Sequence, residues 1–296
     1  MRAAAILGLG CSAKDLKPFQ SDRSVEWRMG MPGSPEQADV VLLFGGDGTV
    51  HRHLGQLVRL GLPVLVVAAG SGNDFAHSLG LGRVRDSLAA WRKFCGDSAN
   101  VRCIDLGTIS ATEDAGGAPA PHGTRYFCCV AGVGLDGEVA RRANRMPRWL
   151  RGRGGYALTV VPTIFTFAPL PMKILTPSEG KDASWSIRSD QPTVVAAFAN
   201  APSFGGGMKV APQAKIDDGL LDICIVGAVS PLRLLRLFPS VYSGHHLSIP
   251  EVEYFQTSRV RVETEHPLDV YADGEYVCRT PVEVGVHRAA LKIVAP

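Results

Sequence analysis

No stretch of this 296-residue chain is apolar for long enough to span a bilayer. The most apolar later segment, Tyr156 to Pro171, is broken by Pro162, Pro169 and several threonines. At the start, Met1 to Cys11 carries one arginine and an apolar run too short for a good secretory core. Ala3–Leu9 is therefore expected to be a buried first strand. The seven cysteines show no metal-ligand spacing and no pairing pattern, which points to a reducing compartment rather than a disulfide scaffold. Adjacent Cys128 and Cys129 lie in an apolar run and are expected to pack as small hydrophobes. A net charge of only +3 gives no argument for nucleic acid as a partner. Internal repeats are also missing.

What is present fits a soluble globular protein, with 46% apolar and 20% charged residues and a length that suits two domains. The strongest local signal is Val40-Val41-Leu42-Leu43-Phe44-Gly45-Gly46-Asp47-Gly48-Thr49. A strand-length apolar run stops at three glycines around one aspartate. Such a turn lets backbone N–H groups face phosphate oxygens at close range. Asp47 is then placed to hold a metal-bound water or a ligand hydroxyl. No Gly-Lys-Ser/Thr follows, so the loop is not a P-loop, nor is it a dinucleotide fingerprint. A plain strand-to-helix turn is the structural alternative.

Strand-like runs at Ala3–Leu9, Val40–Phe44 and Pro63–Val67 alternate with helix-like Arg52–Leu60 and Asp86–Phe94. That alternation predicts a parallel sheet with ligands at the carboxyl ends of its strands. A second glycine turn, Gly70-Ser71-Gly72-Asn73-Asp74-Phe75-Ala76, follows the third run, with Asn73 or Asp74 suited to cap a helix. From Val101 onward the runs are short and β-rich: Tyr126–Ala131, Thr193–Phe198, Leu221–Val226, Arg259–Glu263, Leu268–Tyr271 and Val282–Val286. They predict a second, mostly antiparallel domain of the sandwich type. Ala111–Gly123 reads as a loop insertion. No Asp or Glu occurs between Val139 and Ser178, while Arg141, Arg142, Arg145, Arg148, Arg151 and Arg153 cluster around Trp149 and Leu150. Such a segment suits an anionic membrane surface, or else a solvated helix face with Ala140, Ala143 and Met146 turned inward.

Taken together, the two glycine turns resemble the diacylglycerol kinase catalytic-domain family, which includes soluble bacterial lipid kinases and sphingosine and ceramide kinases. Matching segments continue in order. They are Ile104-Asp105-Leu106-Gly107, Ala131–Asp136, Gly205–Pro212, Lys215–Asp222 and Asp273-Gly274-Glu275. The resemblance implies an α/β nucleotide-binding domain of the NAD kinase and phosphofructokinase type, joined to a C-terminal β-sandwich domain, with the active site between them. It places the first domain at residues 1–107, with 288–296 returning to it, and the lipid-substrate domain at 108–287.

The same resemblance implies an ATP- and Mg2+-dependent lipid kinase. Gly45, Gly46, Asp47, Gly48 and Thr49 would bind ATP phosphates, with Ser71, Gly72 and Asn73 on the facing turn. Glu275 would be the catalytic base, and Asp47, Asp74 and Asp105 would belong to a magnesium–water network. A structural magnesium would be held by the Asp218 carboxylate and the carbonyls of Lys215 and Leu220. Expected partners are ATP and a lipid alcohol at a membrane surface, in a cytoplasmic protein with peripheral membrane association and no nucleic acid; a homodimer is compatible with the sequence. Two departures stand out. The usual Asn-Pro-x-Ser-Gly turn is replaced by Leu7-Gly8-Leu9-Gly10-Cys11-Ser12, and Val50-His51-Arg52 follows Thr49. An NAD kinase and a catalytically silent lipid- or nucleotide-binding regulator are the competing readings.

Overall fold

The computed structural model describes residues 1–97, 99–112, 123–146, 156–178 and 184–296, with the side chains of 156–158 excepted. Most of the expected Ala111–Gly123 loop, and Arg148 to Arg153, lie outside the described residues. The elements fall into two units, one made of Met1–Leu106 with His287–Pro296, the other of Gly107–Val286.

The first unit contains β1 (Arg2–Leu7), α1 (Ala13–Leu16), β2 (Glu26–Met29), β3 (Val40–Gly45), α2 (Asp47–Leu60), β4 (Val64–Ala68), α3 (Asp74–Ser78) and α4 (Val84–Asp97). Then β5 (Val101–Ala111) carries the chain into the second unit. That unit holds β6 (Arg125–Phe127), β7 (Val130–Gly134), α5 (Leu135–Arg145), α6 (Tyr156–Thr166), β8 (Leu170–Pro177) and β9 (Trp185–Ala199). It continues with β10 (Leu221–Gly227), α7 (Pro231–Leu237), β11 (Val252–Thr257), β12 (Arg259–Thr264), β13 (Asp269–Ala272) and β14 (Glu275–Arg279). Finally β15 (Val282–Val294) leads back to the first unit.

In the first unit the sheet is parallel, β2 pairing β1, β1 pairing β3 and β3 pairing β4. The returning end of β15 extends it through Ile293 opposite Val64. Every residue of β3 and β4 is buried, which explains their unbroken apolar runs: a parallel strand covered on both faces has no polar side. Val50, Leu54, Leu57 and Leu60 form the buried stripe of α2, and Gly61 closes the helix in the left-handed conformation with its N–H on Leu57 O. This helix begins at Asp47, five residues before the expected Arg52. Gly48 and Thr49 are poor helix formers, yet they sit in the first turn, where Gly46 O accepts the N–H groups of Thr49 and Val50. The motif glycines are thus partly strand end and partly helix start.

The second unit is antiparallel, as its short β-rich runs predict. Long β9 serves three partners: β8 along its first half, then β7 and β10 on opposite edges of its second half. Phe127, Phe198, Ile223, Val262 and Val284 are among the buried residues of its main core. The segment 156–166, read in sequence as merely a broken apolar run, is the helix α6 with Pro162 inside it. Its neighbour α7 carries no buried residue.

Candidate active site

In the first unit the two glycine turns touch. A Cβ on Gly70 would lie 2.4 Å from Gly46 Cα, so neither backbone could approach the other with a side chain at Gly70. Gly8, from the atypical Leu7–Ser12 turn, joins them: its N–H donates to Phe44 O at 2.7 Å, and a Cβ there would meet Thr49 Oγ1 at 2.6 Å. Three strand ends (β1, β3 and β4) therefore converge on small residues.

The Asp47 carboxylate accepts the Asp74 N–H at 3.1 Å and the Phe75 N–H at 3.0 Å. It therefore supplies the side-chain cap of α3. Asn73 does occupy the N-cap position but makes no capping bond to the helix. Its amide instead closes the turn on itself, donating to Gly70 O and accepting from Gly70 N, both at 3.0 Å. The capping role expected of Asn73 or Asp74 thus passes to Asp47, because each of those turn residues is already committed by its position. Asp74 is buried beside it. Asp105 is buried too, its Oδ1 accepting the N–H of Ala289 on β15 at 2.7 Å. Asp47, Asp74 and Asp105 do not form a cluster of three mutually close ligand atoms; among the described residues the one such group is Cys128, Cys129 and Asp273, two thiols and a carboxylate. Ser71 is exposed on its turn.

In the second unit, Glu275 opens β14 opposite Ala272, exposed, with only Asp273-Gly274 between the two strands. Asp273 is buried, and its carboxylate accepts N–H groups at the start of β7. The expected packing of Cys128 and Cys129 as small buried hydrophobes is therefore only part of their role, since their backbones also solvate Asp273.

Lys215, Asp218 and Leu220 lie on the loop before β10. Asp218 Oδ1 accepts the Leu220 N–H at 3.0 Å, which tightens the loop around Gly219, whose φ is 75°. Beneath it, Asp222 is fully buried and receives hydrogen bonds from Tyr254 Oη and Gln256 Nε2. Burial pushes the Asp222 carboxyl above its ordinary range, and the nearby Asp218 charge adds to the effect. The Asp218 carboxylate and the carbonyls of Lys215 and Leu220 are all oxygen donors, the ligand type a hard divalent cation prefers, while the Asp222 carboxylate is already engaged by Tyr254 and Gln256.

The second unit also encloses an apolar cavity of about 150 Å³, which sequence reasoning missed. Val139 of α5, Val160 of α6, Cys224 of β10 and Phe238 after α7 are among its walls. Three polar side chains line it, Asp136, His246 and Glu251, the last paired with Arg233. Asp136 has a buried Oδ1 with no hydrogen-bond partner, and burial raises its pKa to about 7. Its Oδ2 packs where a Cβ on Gly132 would lie, only 1.7 Å away. His246 bonds Val210 O through Nε2, leaves a buried Nδ1 unpartnered, and is pushed below its ordinary range by burial. The Ala131–Asp136 segment carried a signal, since an aspartate in an otherwise apolar strand-to-helix junction calls for a reason.

Two family models match the chain. The diacylglycerol kinase catalytic domain covers residues 30–109, and the YegS C-terminal NAD kinase beta sandwich-like domain covers residues 129–295. The chain belongs to the diacylglycerol kinase family of lipid kinases. A diacylglycerol kinase of Mycobacterium tuberculosis is 35% identical over 258 residues, which cover 87% of this chain and 77% of that one. Among solved structures, a diacylglycerol kinase from Bacillus anthracis str. Sterne superposes with a TM-score of 0.66 at 16% identity, covering 100% of this chain and 96% of that one. An NAD kinase from Archaeoglobus fulgidus in complex with ATP gives a TM-score of 0.56 at 15% identity, covering 99% and 92%. At such identities these two likenesses show the fold alone: an NAD kinase-like α/β unit and a β-sandwich-like unit.

Proposed function

We propose that this family member transfers the γ-phosphoryl group of ATP, with Mg2+, to the hydroxyl of a lipid alcohol such as diacylglycerol. The observation that carries the reading is the apolar cavity of the second unit, whose lining includes Asp136 and His246, each with one buried polar atom that has no hydrogen-bond partner. An apolar chain gains by leaving water for such a space, while a lone hydroxyl or ester group can satisfy an unpartnered acid or imidazole. NAD, charged and polar over its whole length, has no use for these walls.

The residues divide the work. Gly45, Gly46, Asp47, Gly48 and Thr49, where β3 passes into the N-terminus of α2, would receive the phosphates, with Ser71, Gly72 and Asn73 on the adjacent turn. Asp47, Asp74 and Asp105 are the carboxylates that would hold hydrated Mg2+, which offsets negative charge on the transferring group. Lys215, Asp218 and Leu220 would hold a second, structural Mg2+. Glu275 is the general base: a lipid hydroxyl is a weak nucleophile at neutral pH and gains from a carboxylate placed to take its proton. Around the cavity, Val161 and Phe165 on α6, Leu232 on α7 and Tyr242 are exposed apolar side chains. They support docking on a membrane surface, where the substrate resides. Arg141 and Arg142 contribute less than their number suggests, because both pair with Glu138.

Turnover of lipid alcohols of increasing chain length, in detergent micelles, tests the proposal. KM should fall as the chain lengthens and then level off as the cavity fills, with NAD a far poorer acceptor. Indifference to chain length, or preference for NAD, would contradict it.

A further inference from the structure

An Asp-Gly pair between two strands is an ordinary hairpin turn, usually solvated at its tip. Here the aspartate is not solvated. Asp273 is 9% exposed and adopts φ 51°, the left-handed conformation that few non-glycine residues accept. Its Oδ2 accepts the Cys128 N–H at 2.9 Å, and its Oδ1 accepts the N–H groups of Cys129 at 2.8 Å and Val130 at 3.3 Å. The Cys128 thiol donates to Oδ2 at 3.3 Å, and the Asp273 N–H in turn donates to Val130 O at 2.9 Å. Three consecutive backbone donors surround one carboxylate. The oxygens that could have joined Cys128 and Cys129 in a metal site are occupied by N–H groups.

The far side of the turn is tethered as well. Asn144 Nδ2, from α5, donates to Gly274 O at 2.9 Å. Gly274 adopts φ 84° and is the single residue between the buried clamp and exposed Glu275. Both turn residues are thereby held, Asp273 by β7 and Gly274 by α5, and they set where the Glu275 backbone emerges. A solvated tip would move on the scale of ångströms, and a displacement of about 1 Å in a reacting group can cost on the order of a hundredfold in rate.

We propose that Asp273 is a positioning residue of the phosphoryl transfer, acting through Glu275 by fixing the turn that presents it. The inference rests on the reading of Glu275 as general base. D273N is the informative change. Asparagine tolerates the left-handed conformation and keeps one oxygen acceptor, but places an NH2 or a lone acceptor where two oxygens now meet three N–H donors and a thiol.

The test compares wild type, D273N, E275Q and D273N/E275Q by ATP-dependent lipid phosphorylation in micelles, with residual turnover read over long incubations with labelled ATP. D273N should lower kcat about tenfold or more, leave KM for ATP within about twofold, and lower kcat no further in the E275Q background. Wild-type kcat in D273N beside an impaired E275Q would overturn the inference alone. So would an equal fold-loss in both backgrounds, since Asp273 would then act independently of Glu275. Full turnover in E275Q would remove the base reading, and this inference with it. If melting shows that D273N does not fold, N144A carries the same comparison from the other side of the turn. It should lower kcat only where Glu275 is present, and an unchanged kcat overturns the inference.

Discussion

At Asp136, burial holds the carboxyl protonated in the folded chain up to about pH 7, against an ordinary value of 3.8. A folded-state pKa raised in this way works against folding as pH rises. Stability linked to this group is intact below pH 4 and is lost progressively as pH climbs to about 7, at about 1.4 kcal/mol per pH unit within that window. D136N should flatten that part of the curve. Thermal midpoints of the two proteins, measured from pH 4 to 8, should diverge in the variant's favour toward neutrality; parallel profiles would contradict the assignment. E275Q keeps the shape of an exposed side chain, so melting should be unchanged while kcat falls roughly a hundred- to ten-thousand-fold. Near-wild-type kcat would remove Glu275 from the base role. Motif residues were legible in the sequence because several glycine- and aspartate-bearing segments, from Gly45–Thr49 to Asp273–Glu275, follow one another in a single recognisable order, although each alone reads as an ordinary turn. What they bond was not legible: the donors around Asp273 come from Cys128–Val130, some 145 positions away.

The elements divide along similar lines. β3 and β4 could be read directly, since strands buried on both faces are unbroken apolar runs. α6 could not, because Pro162 and the three threonines Thr159, Thr163 and Thr166 obscure helical periodicity. Nor could α7, whose Pro-Leu-Arg-Leu-Leu-Arg-Leu sequence has exposed Leu232 where a soluble helix would carry a polar residue. Together α6 and α7 supply the element-scale prediction. F165S/L232S removes two exposed apolar side chains and should weaken sedimentation with phospholipid vesicles severalfold, leaving turnover of a short-chain acceptor close to wild type. Unchanged sedimentation would deny these helices a membrane role. The Asp218 loop gives another test. Mg2+ should raise the melting temperature of the wild type and raise that of D218A much less, since a ligand that binds only the folded loop stabilises it by mass action. Equal gains would argue against a cation there.

For the whole molecule, two units of different texture share one chain that passes from one to the other in β5 and back in β15. The parallel unit gathers glycine turns and carboxylates, and the antiparallel unit holds the cavity, the Asp218 loop and the Glu275 turn. No described helix is long and apolar enough to cross a membrane. The central claim is that a lipid hydroxyl receives the phosphoryl group. The direct measurement is incubation of the purified protein with γ-labelled ATP, Mg2+, NAD and a mixed lipid extract in detergent micelles, with products identified by mass spectrometry. The account predicts label in an organic-phase lipid monophosphate, formed by the wild type and nearly lost in E275Q. Label confined to the aqueous phase, in NADP or in inorganic phosphate alone, would contradict it.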